Sequence, residues 1–205
     1  MNTIDLCRLV EEQGMQAIAP LLRSLSDHGQ FTVINKGPLV PILQATIGDV
    51  TLNHQERFYS IEVKTEQHDD YGNFFFETWS NKNFSRRKLG WMLTLIADVF
   101  WYYFLDCDCL YSINLRRLWE WAFIENRIYD FEEKEQAKHR QLNRTFGRCV
   151  PISVIKAEVG YRLYHPQQSF EPVEEQAAKK SPSVALSLTD ELEQILRKRV
   201  HKAGA

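Results

Sequence analysis

The chain has 205 residues, 44% of them hydrophobic and 12% aromatic, which is enough to bury one good-sized core and leave a tail. A formal net charge of −2 gives no global sign of a nucleic-acid binder, so the footprint of any such partner must be local. Cys7, Cys107, Cys109 and Cys149 are too few for a disulfide scaffold and point to a reducing, cytoplasmic setting, in which no membrane partner is expected.

In chain order, "TIDLCRLVEEQGMQAIAPLLRSLSDHG" carries apolar residues at helical spacing, with Pro20 expected to start or kink a second helical piece. From "FTVINKG" the period changes. "GDVTLN", "RFYSIEVK" and "NFFFETW" read as three strands of a short antiparallel meander, separated by polar or glycine-containing turns. "SNKNFSRRKLG" is a polar, basic loop and "WMLTLIA" a short helix, while "VFWYYF" and "CLYSI" form a strand pair around "LDCD". The longest apolar run, "WMLTLIADVFWYYFL", is shorter than the ~20 residues that span a bilayer and holds Asp98. The C-x-C spacing of Cys107 and Cys109 lacks the second half of a zinc site.

Asn114 is the expected N-cap of "LRRLWEWAFIENRI", with Leu115, Leu118, Trp119 and Ala122 on one stripe. A second, highly polar helix is expected over residues 131–144, after which "RCVPISVIKAEVGYRLY" closes the core. The composition then divides the chain into a domain over residues 1–165, a linker over 166–186 and an amphipathic helix over 187–205, opened by Ser187 and Asp190 as a capping box.

The chemistry centres on "FYSIEVKTEQ". Side chains alternate along a strand, so Tyr59, Ile61 and Val63 face one way while Ser60, Glu62 and Lys64 face the other. An E-x-K tripeptide alone is unspecific, and Glu132-Glu133-Lys134 is another. Asp49 changes its weight, because a meander brings the acid that opens one strand beside Glu62 on the next. Two carboxylates and a backbone carbonyl, that of Val63, are hard oxygen ligands suited to Mg²⁺, with Mn²⁺ as a substitute, and they leave positions for water and phosphate. Lys64, on the face of Glu62, is placed to orient the attacking water and neutralise phosphate charge.

Helix, strand, "GD", strand, "IEVK" resembles the core of the PD-(D/E)XK nuclease superfamily over residues 1 to about 120, on the motif residues Asp49, Glu62 and Lys64. The run from "NFFFETWSN" through "LGWMLTLIADVFWYYF" is similar to phage and prophage-borne members. Gly48 stands where many members have Pro. The resemblance implies an α/β (α+β) fold with a restriction-endonuclease-like core: a central mixed sheet flanked by helices, here followed by a C-terminal helical tail. It also implies a Mg²⁺-dependent deoxyribonuclease, an endonuclease of a phage or mobile element acting in the host cytoplasm. The alternatives are a structure-specific resolvase working as a homodimer and a non-catalytic DNA-binding or inhibitor protein on the same fold.

Glu11 or Glu12 on the first helix and Glu77 after the three phenylalanines are candidates for a further carboxylate, against solvated positions for each. Asp98 reads better as a cap or turn former than as a catalytic acid. For DNA, Lys82, Arg86, Arg87 and Lys88 lie close together with no acid between and with Trp79, Phe84 and Trp91 nearby. Arg116, Arg117, Lys138, Arg140, Arg144 and Arg148 extend that candidate track.

Overall fold

The computed structural model describes residues 3–34, 47–69, 71–83, 87–136 and 144–176. It is a mixed α+β fold in which helix α1 (Thr3–Leu25) covers one face of a seven-stranded sheet and a four-stranded sheet packs over the other. The helix runs through Pro20 as one element. Pro20 is exposed while Ile18, Leu21 and Leu22 are wholly buried, so burial of the apolar stripe outweighs one missing interior hydrogen bond.

Strands β1 (Phe31–Val33), β2 (Val50–His54) and β3 (Arg57–Glu66) form an antiparallel meander. The next strand, β4 (Asn73–Asn81), leaves it, correcting the expected three-strand continuation. It pairs instead with β5 (Lys88–Leu89) and β9 (Phe146–Pro151), and β8 (Glu133–Glu135) pairs with β9 to complete the second sheet. The period of "NFFFETW" is the same in either sheet. Phe74 and Phe76 decide the matter by burying completely against Phe100, Tyr102 and Phe104.

The place beside β3 is taken by β6 (Val99–Phe104), which runs parallel to it, followed antiparallel by β7 (Cys109–Asn114). Strands β10 (Tyr161–Tyr164) and β11 (Glu174–Gln176) extend the sheet beyond β7. Short α2 (Trp91–Thr94) lies in the crossover from β3 to β6. As expected, Asn114 caps α3 (Leu115–Trp119), its side chain accepting from the Arg117 N–H at 2.9 Å. That helix continues as a π-helical turn that buries Trp121, Ala122 and Phe123. Helix α4 (Ile152–Glu158) buries Ile152 and Ile155 in the same cluster.

Two further expectations are corrected. The polar segment expected to be helical over 131–144 contains β8, whose Glu133 faces Thr78 and Lys82 of β4 and its flank; residues 137–143 lie outside the described residues. The expected linker does not start at 166. Pro166 is buried, the Gln167 N–H donates to the Asp108 carboxylate at 3.1 Å, and β11 pairs with β10. Backbone pairing and a buried carboxylate hold a segment that composition alone leaves loose. The rest of that linker and the helix expected over 187–205 lie outside the described residues. Among the described residues, no helix is long and apolar enough to cross a membrane.

Candidate functional site

The alternation expected for β3 sorts its side chains between the two cores. Ile61, with Tyr59 and Val63, packs on the α1 side. Glu62 therefore faces the second sheet, with Lys64 two residues on, and both are half-buried, so this is no open solvent face. Glu62 is the cross-strand partner of Phe100, and Lys64 that of Tyr102. Phe100 is wholly buried and carries the Trp91 ring stacked on it at 4.6 Å.

Asp49 reaches this face from the turn just before β2. Its N–H donates to the Ile61 carbonyl at 2.9 Å, and its Oδ2 accepts from the Val63 N–H at 3.0 Å. Gly48 makes the approach feasible. It has φ of +81°, and a Cβ built there would lie 2.6 Å from the Ile61 carbonyl oxygen. The departure from a Pro-Asp pattern thus has a local cause, because Pro locks φ near −65° and cannot make this turn.

The Asp49 and Glu62 carboxyls share a hydrogen bond, and the Glu62 carboxyl is pushed up to about 9. Burial is the largest cause, followed by repulsion from Asp49; Lys64 opposes the shift and Glu77 adds a smaller repulsion. Glu62 thus holds a proton at neutral pH where an isolated glutamate would not. Glu77 enters from β4, where the register with β9 shifts between Glu77 and Trp79, and it accepts a hydrogen bond from the Ser80 hydroxyl. The N–H of Gly90 donates to the Thr78 carbonyl at 2.9 Å, and a Cβ at Gly90 would lie 2.3 Å from the Glu77 carbonyl oxygen. Only a glycine lets the end of the basic loop press so closely on the strand that carries Glu77.

The Val63 peptide faces β2, as its N–H bond to Asp49 shows, and the β2–β3 pairing starts only at Val50 and Ile61. Its carbonyl therefore points past the start of β2, on the edge from which Asp49 approaches. Asp49, Glu62, Val63 and Lys64 are brought together as expected. Among the described residues, no group of three or more His, Cys, Asp and Glu side chains is placed to hold a metal ion, so an ion here would rest on two carboxylates, the carbonyl and water.

Other candidates fall elsewhere. Glu12 pairs with Arg8 at 2.8 Å on the exposed face of α1, and Glu11 is also exposed. Asp98 bridges two strands: its Oδ2 accepts from the Ser60 N–H at 2.8 Å and from the Ser60 hydroxyl at 2.9 Å, tying the residue before β6 to β3. The basic run is not free of acid in space, because Lys82 forms an ion pair with Glu133 and lies over the Phe146 ring. Arg87 and Lys88 are exposed; Phe84 and Arg86 lie outside the described residues, as do Lys138 and Arg140. Arg116 and Arg117 pair with Glu120, Arg144 pairs with Glu135 at 2.7 Å, and Arg148 donates to the Phe131 carbonyl. Three-dimensional neighbours neutralise much of a track that looked basic in one dimension.

The apolar wall of Phe100 and Trp91 was not foreseen as part of the site. Only the β3–β6 register, which joins distant segments, reveals it. A cavity of about 750 Å³ between α1 and residues 166–170 is lined by none of Asp49, Glu62 and Lys64. No family model, curated protein or solved structure matches this chain.

Proposed function

We propose that this protein is a divalent-cation-dependent nuclease of the PD-(D/E)XK type, with a restriction-endonuclease-like core. The observation that carries the reading is the convergence of Asp49, Glu62, the Val63 carbonyl and Lys64 on one strand edge, with two carboxyls so close that Glu62 keeps a proton. The order of elements supports it, since a helix and a meander precede a strand that runs parallel to the E-x-K strand.

The residues fit a Mg²⁺ or Mn²⁺ ion by donor chemistry: Asp49, Glu62 and Val63 offer hard oxygens, and two adjacent carboxyls are relieved of repulsion by a cation. Such an ion, when bound, would lower the pKa of a coordinated water and offset charge growing on a phosphate. The chain supplies the rest. The Val63 amide fixes the Asp49 carboxylate, Gly48 allows its approach, and the Phe100 side chain beside Glu62 keeps bulk water from one flank. Lys64 brings a positive charge to the same face, where it orients the phosphate or the attacking water. Arg87 and Lys88, exposed on and beside edge strand β5, are the described basic residues best placed to hold further phosphates.

The pairing of Lys82, Arg116, Arg117 and Arg144 with acids favours a second reading, a non-catalytic module on this fold that meets a protein partner. One assay separates the two. Purified protein is incubated with supercoiled, linear, single-stranded and branched DNA in Mg²⁺, Mn²⁺ or EDTA. Nicking or cutting that needs the cation and falls by roughly a hundredfold or more in Asp49→Asn and Glu62→Gln supports the nuclease. Absence of cation-dependent cleavage on every substrate supports the second reading.

A further inference from the structure

Cys107 and Cys109 lie at the tight turn between β6 and β7, at the end of the sheet away from Asp49 and Glu62. Asp108 between them has φ of +51°. For an L-residue this places the backbone in the small left-handed region, which draws the flanking Cα atoms in to about 5.4 Å, the separation of an i, i+2 pair on a helix. Disulfides form at Cα separations of roughly 4.4–6.8 Å. The turn is held in this shape from outside. The Asp108 carboxylate accepts from the Tyr103 hydroxyl at 2.7 Å and from the Gln167 N–H at 3.1 Å, while its carbonyl accepts from His165 Nδ1 at 2.8 Å. The two thiols are therefore presented together by a clamp reaching across the sheet.

Their environments differ. Cys107 is exposed, whereas Cys109 is half-buried and its Sγ lies 3.3 Å from the Cys107 carbonyl oxygen. Burial, and then a hydrogen bond to the Cys107 thiol, push the Cys109 thiol up to about 12. The Cys107 Sγ lies 3.9 Å from the Phe104 carbonyl oxygen, on the same turn. The third described free cysteine, Cys149, sits on β9 in the second sheet.

We propose that Cys107 and Cys109 form an oxidisable dithiol that closes to an intramolecular disulfide by exchange with a small-molecule disulfide such as glutathione disulfide. The Cys107 thiolate attacks one sulfur of glutathione disulfide and releases one glutathione. Cys109 then loses its proton to solvent and attacks the Cys107 sulfur, forming the Cys107–Cys109 bond and expelling the second glutathione. Two thiols are oxidised and one glutathione disulfide is reduced to two glutathiones, so electrons and protons balance. Exposure makes Cys107 the point of entry, and the left-handed turn at Asp108 brings Cys109 within reach as the resolving thiol.

The test uses the full chain, reduced, freed of reductant and exposed to glutathione disulfide, with intact mass and peptide mapping. The expected product has lost two hydrogens, mapped to the peptide holding both Cys107 and Cys109. In Cys109→Ser, Cys107 should instead accumulate a stable glutathione adduct. In Cys107→Ser, modification of Cys109 should be slower than that of Cys107 in the other variant, by at least about tenfold. A lasting glutathione adduct on Cys107 in the unaltered chain, a disulfide involving Cys149, or no change in mass overturns the proposal.

Discussion

At the scale of single residues, the site depends on a glycine and on a carboxyl that keeps its proton. Gly48→Ala forces a Cβ into the Ile61 backbone and a non-glycine residue into a φ of +81°. The left-handed conformation alone costs roughly 1–2 kcal/mol, and the clash adds to it, so thermal unfolding should show a lower midpoint and Asp49 should lose its bond to Val63. Glu62 makes stability fall with pH. Its folded pKa near 9 lies above the unfolded value near 4.5, so the folded chain binds an extra proton across that interval. The contribution is complete below about 4.5 and disappears as pH rises through about 9. Denaturant midpoints should therefore decline with pH between those values. Glu62→Gln, which keeps the shape without the charge, should flatten the decline; an unchanged slope would show that another group is responsible.

Among elements, the β3–β6 junction positions the site and is tied by polar contacts at two points. Ser60 and Asp98 clamp its start, and the Tyr102 hydroxyl donates to Glu66 while accepting from the Phe75 N–H at 3.2 Å, linking both sheets. Burial and the adjacent Glu66 carboxylate hold Tyr102 well above the usual tyrosine range, so it stays a donor. Tyr102→Phe leaves the Phe75 N–H and the Glu66 carboxylate short of a partner and should cost roughly 1–3 kcal/mol, read from urea denaturation. The basic loop gives a contrast. If DNA binds there, replacing Arg87 and Lys88 by Ala should reduce the log–log salt slope by about 0.9 for each phosphate that is no longer neutralised. Lys82→Ala should change it little, because Glu133 already holds that charge. Equal slopes for both variants would remove this edge from the interface.

Over the whole molecule, the described core runs past His165, since β11 pairs with β10 as far as Gln176. Truncation after Gln176 should leave a cooperative fold with Asp49, Glu62 and Lys64 intact. Truncation after His165 removes β11 and Gln167, leaving the buried Asp108 carboxylate with fewer donors. Hydrogen bonds to charged groups are worth roughly 1.5–3 kcal/mol each, so this shorter chain should lose at least about 2 kcal/mol, measured by chemical denaturation. Equal stability of the two truncations would return residues 166–176 to a linker.

What the amino-acid sequence determined by itself was local. Alternation on β3 separated Ile61 and Val63 from Glu62 and Lys64, and the Asn114 cap was legible because each depends on residues within a turn or two. The placing of Asp49 beside Glu62 was also legible, since β2 and β3 are joined by a short hairpin. Tertiary structure alone decided that β4 leaves the meander, that β6 runs parallel to β3, and that Phe100 flanks Glu62. Those outcomes turn on which distant aromatic face buries against which, and period-2 patterns are blind to that choice. The same reason separates the basic track in sequence from the ion pairs in space: Glu133 lies 51 residues from Lys82 and meets it only through the second sheet.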